Sequence, residues 1–235
     1  MSSLQFDFNG HGALVTGAGG GIGRAVALAL GAAGAAVVCG DINPDRADTT
    51  ADLITQAGGR ALAVHADVAN RFQAAAMIES GRDAFGKLDI LVNTAGVYKR
   101  GDFFKFDEWD WRRALDVNMT GTFFCTQLLA RVMADEGGGA IVNVASDAAY
   151  PNPIAEGVAY AASKVGVIGM SVQAAHELAA SRVRVNVICP GDVDEDDGTP
   201  ARTAQPLAPD AIAPLVLFLC SDAAAAITGQ VYRVG

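Results

Sequence analysis

Seven short runs rich in Val, Ile, Leu and Ala, separated by stretches long enough for helices, constrain this chain more than any other feature of its sequence. Such runs read as strands covered on both faces, because parallel neighbours need a crossover between them and the crossovers bury the sheet twice. Strands are expected near residues 13–16, 36–40, 61–66, 90–93, 140–145, 184–188 and 230–234. Helices are expected over 21–33, 45–57, 71–85, 107–135 with a break near Asn118, 159–180 and 209–220. Right-handed crossovers would cover both faces. The expected class is therefore α/β: one doubly wound parallel sheet of about seven strands with helices on both faces. No linker, repeat or charge tract divides residues 1–235, so one domain is expected. The glycine run 137–139 suits a tight turn from helix to strand, and the acidic segment 192–208 reads as a mobile loop on the substrate side.

The first strand leads directly into Thr16, Gly17, Ala18, Gly19, Gly20, Gly21, Ile22 and Gly23, and these open the first helix. Glycines there let the backbone turn sharply and approach a pyrophosphate, while the helix N-terminus offers N–H groups and the positive end of its dipole. That context is what a Rossmann-type dinucleotide site needs. Asp41 ends the second strand about twenty residues on, where a carboxylate accepts from ribose hydroxyls and repels a 2′-phosphate. NAD(H) is thus expected over NADP(H). Neither the glycine loop nor Ile42 and Asn43 brings a cation to such a phosphate, and Arg24 is expected to point along its helix.

A formal charge of −9 with no Lys/Arg cluster argues against nucleic acid and against an anionic membrane surface as partners. Cys39, Cys125, Cys189 and Cys220 lie far apart in apolar stretches, so they read as buried thiols in a reducing compartment, and no metal site is expected. The first ten residues, MSSLQFDFNG, lack the basic and apolar regions of a secretory signal, which predicts a cytoplasmic location. The most apolar stretch, 25–39, is short for a bilayer and carries Gly31 and Gly34.

Tyr160 and Lys164 stand four residues apart and share one face of a helix. A nearby ammonium stabilises phenolate, which makes Tyr160 a candidate general acid/base. Tyr-x-x-x-Lys alone is a weak signal, but Ser146 ends the preceding strand at the carboxyl edge where open parallel sheets bind ligands. Asn93, Thr94, Ala95 and Gly96 end the fourth strand at that edge, and Asn118 is a helix-neutral amide inside a helical stretch.

Along essentially its whole length the sequence resembles the short-chain dehydrogenase/reductase family. Thr16 to Gly23, Asp41, Asp67 and Val68, Asn93 to Gly96, Asn118, Ser146, Tyr160 and Lys164, Pro190 and Gly191, and Ile227 to Gln230 fall in that family's order. The resemblance implies hydride transfer between a nicotinamide and the carbon of a secondary alcohol or carbonyl. It implies Tyr160 as proton donor and acceptor, Ser146 as its partner on the substrate oxygen, and Lys164 on the nicotinamide ribose. Asn118 would anchor a water in a proton relay. The glycine loop, Asp41, Ile42, Asp67, Val68, Asn93, Ala95, Gly96, Pro190, Gly191 and Val193 would hold the cofactor. Tyr98, Asp147, Tyr150, Asn152 and Val193 stand beside the motifs as candidate substrate lining. The helical stretches 107–135 and 159–180 resemble those through which family members assemble as dimers and tetramers.

The chain departs from the family in three places. Many members place a cofactor-binding Thr four residues beyond the glycine that matches Gly191, where this chain has Glu195; Thr199 is the candidate substitute. The segment up to residue 208 is shorter than the usual two-helix lid. Tyr232, Arg233, Val234 and Gly235 replace the Asp-Gly-Gly common near the family's C-terminus. Five carboxylates over 192–197 are expected to disfavour anionic substrates, unless they form only a solvated loop. A cofactor-binding regulatory or scaffold protein with little turnover remains the alternative from another class. An epimerase or dehydratase of the longer relatives is disfavoured because their extra substrate domain has no counterpart here.

Overall fold

The computed structural model describes residues 6–149, 152–194 and 203–235. Seven strands form one sheet: β1 Gly12–Thr16, β2 Ala36–Asp41, β3 Arg60–His65, β4 Ile90–Asn93, β5 Gly139–Val144, β6 Val183–Pro190 and β7 Val231–Val234. Their order is β3-β2-β1-β4-β5-β6-β7, and all six pairings are parallel. Each expected strand is present within two residues at either end.

Alternation along the strands divides the core, since successive side chains point to opposite faces. Val15, Val37, Cys39, Val92 and Val142 pack on one side with Ile22, Val26, Ile54 and Val216. Leu14, Val38, Leu91, Ile141 and Val185 pack on the other with Met77, Ile78, Leu129 and Met133.

The helices are α1 Gly21–Ala32, α2 Pro44–Gln56, α3 Arg71–Phe85, α4 Glu108–Leu115, α5 Thr122–Glu136, α6 Val158–Leu178 and α7 Ala213–Cys220. Side chains fix several of their starts. Asn43 caps α2 by accepting from Arg46 N, with Pro44 at the first helical position; Asn70 caps α3 and Asp107 caps α4. The expected break near Asn118 is a π-helical segment, Asp116–Gly121, joining α4 to α5. The glycine run turns the chain from α5 to β5, with Gly137 and Gly138 at φ 108° and 117°, where a side chain would be strained. The helix expected over 209–220 is a 3₁₀ turn, Pro209–Ala211, followed by α7.

Register carries the strand ends to one edge. Thr16 of β1 stands beside Gly40 of β2 and Asn93 of β4, and Asn93 stands beside Asn143 of β5. The chain leaves β1 for β2 on one side and returns to β4 on the other, so a crevice opens between β1 and β4 at the carboxyl edge.

Gly169 lies inside α6 and is exposed, and a Cβ added there meets nothing within 4 Å. Gly169→Ala is therefore expected to stabilise the fold by about 0.5–1 kcal/mol, because alanine loses less backbone entropy in a helix. Thermal unfolding checks it; a lower Tm in the variant would contradict the expectation.

Candidate active site

A cavity of about 370 Å³ occupies that crevice, within the range of roughly 300–1,000 Å³ common for small-molecule sites. Its wall runs from Asp41, Ile42, Asp67 and Val68 at one end, past Gly17, Gly20, Ile22 and Gly23, to Ser146, Tyr160 and Lys164 at the other. Ala95, Gly96, Tyr98, Pro190, Gly191 and Val193 complete it.

The glycine loop is tied from below. Ala18 N donates to Gly40 O at 3.1 Å and Thr50 Oγ1 to Ala18 O at 2.8 Å. Arg24 does not run out along its helix as expected: its guanidinium turns back to donate to the Gly19 carbonyl and, at 3.3 Å, to Thr50 Oγ1. A free carbonyl at the loop turn outcompetes solvent for the guanidinium. Gly19 and Gly21 are buried beneath the loop and off the cavity wall; Gly19 N donates to Asp41 Oδ2 at 2.8 Å. Asp41 Oδ1 accepts from Asn43 N at 2.8 Å, so the carboxylate is held on both oxygens while still bordering the cavity.

Two cations on the wall were not anticipated. Arg113 of α4 pairs with Asp67 at 3.0 Å, whose other oxygen accepts from Ala69 N at 3.0 Å. Arg46, in the first turn of α2, borders the cavity beside Asp41, Ile42 and Asn43. The Asn43–Pro44 helix start was the available signal for Arg46, because it places residue 46 back toward the strand end.

Asn93 supports the sheet from behind the wall. Its Nδ2 donates to Thr126 Oγ1 at 3.2 Å and Asn143 Oδ1 at 2.8 Å, and Asn143 Nδ2 donates to Ser171 Oγ on α6 at 2.8 Å. Thr94 N and Ala95 N donate to Thr16 Oγ1 at 3.2 and 3.3 Å, binding the loop after β4 to β1.

Asn118 is fully buried in the π-helical segment and does not face the cavity. Its Oδ1 accepts from Val97 N at 2.7 Å, and its Nδ2 donates to Val97 O at 3.0 Å and Ser163 Oγ at 2.9 Å. Ser163 Oγ in turn donates to Tyr160 O at 2.7 Å. One amide thus joins the loop after β4, the π turn and the start of α6.

At the far end Lys164 is 4% exposed. Its Nζ donates to Val144 O at 2.8 Å and lies 5.7 Å from the centroid of the Tyr160 ring. The Tyr98 ring approaches the Tyr160 ring to 4.9 Å between centroids, tilted at 59°. Ser146 is buried, and its Oγ accepts from Ala148 N at 3.2 Å. Asp147, expected in the lining, is off this wall; its Oδ2 accepts from Asn152 Nδ2 at 3.0 Å. Tyr150, Glu195 and Thr199 lie outside the described residues. The ends of the acidic loop meet: Val193 bridges Leu207, and Asp192 Oδ2 accepts from Thr203 N at 2.6 Å and Thr203 Oγ1 at 2.9 Å. Asp192 also borders the cavity.

The four cysteines are buried and free, and burial pushes the Cys39, Cys125 and Cys220 thiols up to about 12. Among the described residues no His, Cys, Asp or Glu cluster suits a metal, and no helix is long and apolar enough to cross a membrane. The residues fit a nicotinamide dinucleotide: an elongated cavity with a carboxylate at one end, backbone of a glycine turn midway and a Ser-Tyr-Lys group at the other.

The model of the short chain dehydrogenase family matches residues 11–206. D-threitol dehydrogenase of Mycolicibacterium smegmatis is 38% identical over 242 residues, covering 97% of this chain and 93% of that protein. Cis-4-hydroxycyclohexanecarboxylate dehydrogenase of Sinomonas cyclohexanicum is 37% identical, covering 94% of each. A solved 7α-hydroxysteroid dehydrogenase, complexed with NADH and 7-oxo glycochenodeoxycholic acid, superposes with a TM-score of 0.93 at 34% identity, covering 100% of this chain and 96% of that one. The family's oxidoreductases use nicotinamide dinucleotides, and with this sheet order, this crevice and this extent of likeness the chain belongs to the short-chain dehydrogenase/reductase family.

Proposed function

We propose that the chain interconverts a secondary alcohol and a ketone or aldehyde with NAD(H), using Tyr160 as proton donor and acceptor. One observation carries this reading: Ser146, Tyr160 and Lys164 line the same cavity as the glycine turn and Asp41. Residues 1–235 are read as one domain, cytoplasmic and homo-oligomeric.

In this reading Gly17, Gly20, Ile22 and Gly23 approach the pyrophosphate, with the α1 N-terminus behind them. A carboxylate has about four lone-pair positions, so Asp41 retains acceptors for ribose hydroxyls beside its bonds to Gly19 N and Asn43 N. Ile42, Asp67 and Val68 flank the base. Ala95, Gly96, Pro190, Gly191 and Val193 border the nicotinamide end. Bound nicotinamide supplies or takes the hydride.

The substrate oxygen is held by the Ser146 and Tyr160 hydroxyls. In reduction Tyr160 gives its proton to that oxygen; in oxidation it takes the proton back. The buried Lys164 ammonium favours the phenolate form. Asn118, with both amide hydrogens engaged by Val97 and Ser163, acts by fixing where α6 presents Tyr160 and Lys164. Asp192 on the wall, with Lys164 the one cation that lines this end among the described residues, favours neutral substrates.

Oxidation of NADH and of NADPH over a panel of neutral, cationic and carboxylated ketones tests the reading. Turnover is expected with NADH in preference to NADPH, on neutral ketones ahead of carboxylated ones. Tight NADH binding with no turnover on any member would favour the binding-protein reading. A carboxylated ketone as best substrate would overturn the charge argument alone.

A further inference from the structure

We infer that the substrate carries a bulky, uncharged apolar group on one flank of its carbinol or carbonyl carbon, seated in a second compartment lined by Phe103, Ile154 and Ala161. The inference rests on the alcohol/ketone reading above and narrows its substrate class.

A cavity of about 610 Å³ adjoins the first one. Ala148 and Ile154 line both, so the two spaces meet at those residues. Helix α6 spans the junction: Tyr160 borders the first cavity, and Val158 and Ala161 border the second. The segment after β4 does the same, with Tyr98 on one wall and Gly101 and Phe103 on the other. A carbonyl held at Tyr160 thus stands one helix position from the compartment. Among the described residues none of its lining belongs to the loop 192–208, so that loop is not needed to form it.

The compartment is a fixed feature of the fold. Gly101 N donates to Glu156 O at 3.1 Å, tying the segment after β4 to the one before α6. A Cβ built on Gly157 would lie 2.4 Å from Ile154 Cγ1 and 2.6 Å from Ile154 Cδ1, so the bare glycine lets the Ile154 side chain lie against the start of α6.

Its chemistry selects hydrocarbon. Phe103, Ala148, Pro153, Ile154, Val158 and Ala161 present apolar side chains. The two carboxylates on the lining are engaged by the protein: Glu156 Oε2 pairs with Arg100 Nη2 at 3.3 Å, and Asp102 Oδ1 accepts from Phe104 N at 3.1 Å. No Lys, Arg or His lines it among the described residues. A charged group entering there would lose water without gaining a counter-charge. Phe103 is 72% exposed, so an apolar group laid on its ring removes from water a surface that the fold alone leaves wet.

The test compares butanone with 4-phenylbutan-2-one, which share the methyl ketone end, in steady-state kinetics with NADH on the full chain. The wild-type kcat/KM is expected to be higher for the phenyl ketone by about ten-fold or more, as burial of a ring supplies. Ala161→Leu, which fills the compartment, and Phe103→Ala, which removes its exposed ring, are each expected to lower that ratio by roughly five-fold or more. Phe72→Ala, an exposed ring on α3 away from both cavities, is the control expected to keep it. Melting curves verify folding. Equal kcat/KM for the two ketones in wild type would overturn the inference, as would a ratio unmoved by both compartment variants. A Phe103→Ala variant that changes only the oligomeric state would assign this ring to a second copy of the chain and overturn it too. A folded wild type that binds NADH and reduces neither ketone, nor any other carbonyl of the wider panel, would instead sink the alcohol/ketone reading, and this inference with it.

Discussion

Tyr160→Phe is expected to reduce kcat/KM for ketone reduction by about 10²–10⁴-fold, the range typical of a positioned general acid, with NADH affinity and Tm unchanged. The substitution removes one oxygen and little else. The bond from Ser163 Oγ goes to the backbone carbonyl of residue 160, and the Tyr98 contact is made by the ring. Lys164 keeps its bond to Val144 O. Those backbone and ring contacts survive the change, whereas proton transfer through the hydroxyl does not. Steady-state kinetics with a neutral ketone, alongside NADH titration of the same preparation, separates the two. Undiminished turnover would refute the assigned acid/base and leave the family and fold untouched.

The sheet was legible in the sequence because its physics is local. Strands covered on both faces read as nearly continuous apolar runs, so Leu14 and Val15 enter opposite cores while reading as one run. The glycine loop was legible for a similar reason: its chemistry depends on backbone, and its place follows from the strand before and the helix after. Side-chain direction is another matter. Asp147 adjoins Ser146 in sequence, yet it bonds Asn152 off the cavity wall. Arg113 reaches the wall from α4 to pair with a residue 46 positions earlier, which no local pattern encodes. Asn118 stood out as an amide in a helix. Its partners, Val97 and Ser163, are set by how the π turn packs between the β4 loop and α6. Sequence thus located the residues at which the fold departs from regularity, and tertiary packing decided what each one touches.

Gly23→Ala is expected to be the most damaging single-methyl change in the glycine turn. Its Cβ would lie 2.1 Å from Gly17 O, 2.7 Å from Gly17 C and 2.6 Å from Thr94 Oγ1. Two of these atoms are backbone, and the third is a short side chain held by its own hydrogen bond. Gly17 O belongs to the turn itself, which is pinned where Ala18 N meets Gly40 O. Thr94 Oγ1 donates to the Thr16 carbonyl and so helps bind the β4 loop to β1. The methyl must therefore push α1 away from the turn or pull the turn from the sheet. Overpacking of this kind destabilises by about 1–3 kcal/mol, and a drop of roughly 2–4 °C in Tm follows per kcal/mol in a chain of this size. Because the turn also forms the middle of the cavity wall, the nucleotide should lose its seat as well. A displacement near 1 Å would cost about 10²-fold in kcat/KM. Gly169→Ala adds the same methyl in open space and is the control. If Gly23→Ala matched it in Tm and bound NADH as wild type does, the close approach of turn and helix would not be what the glycine is for.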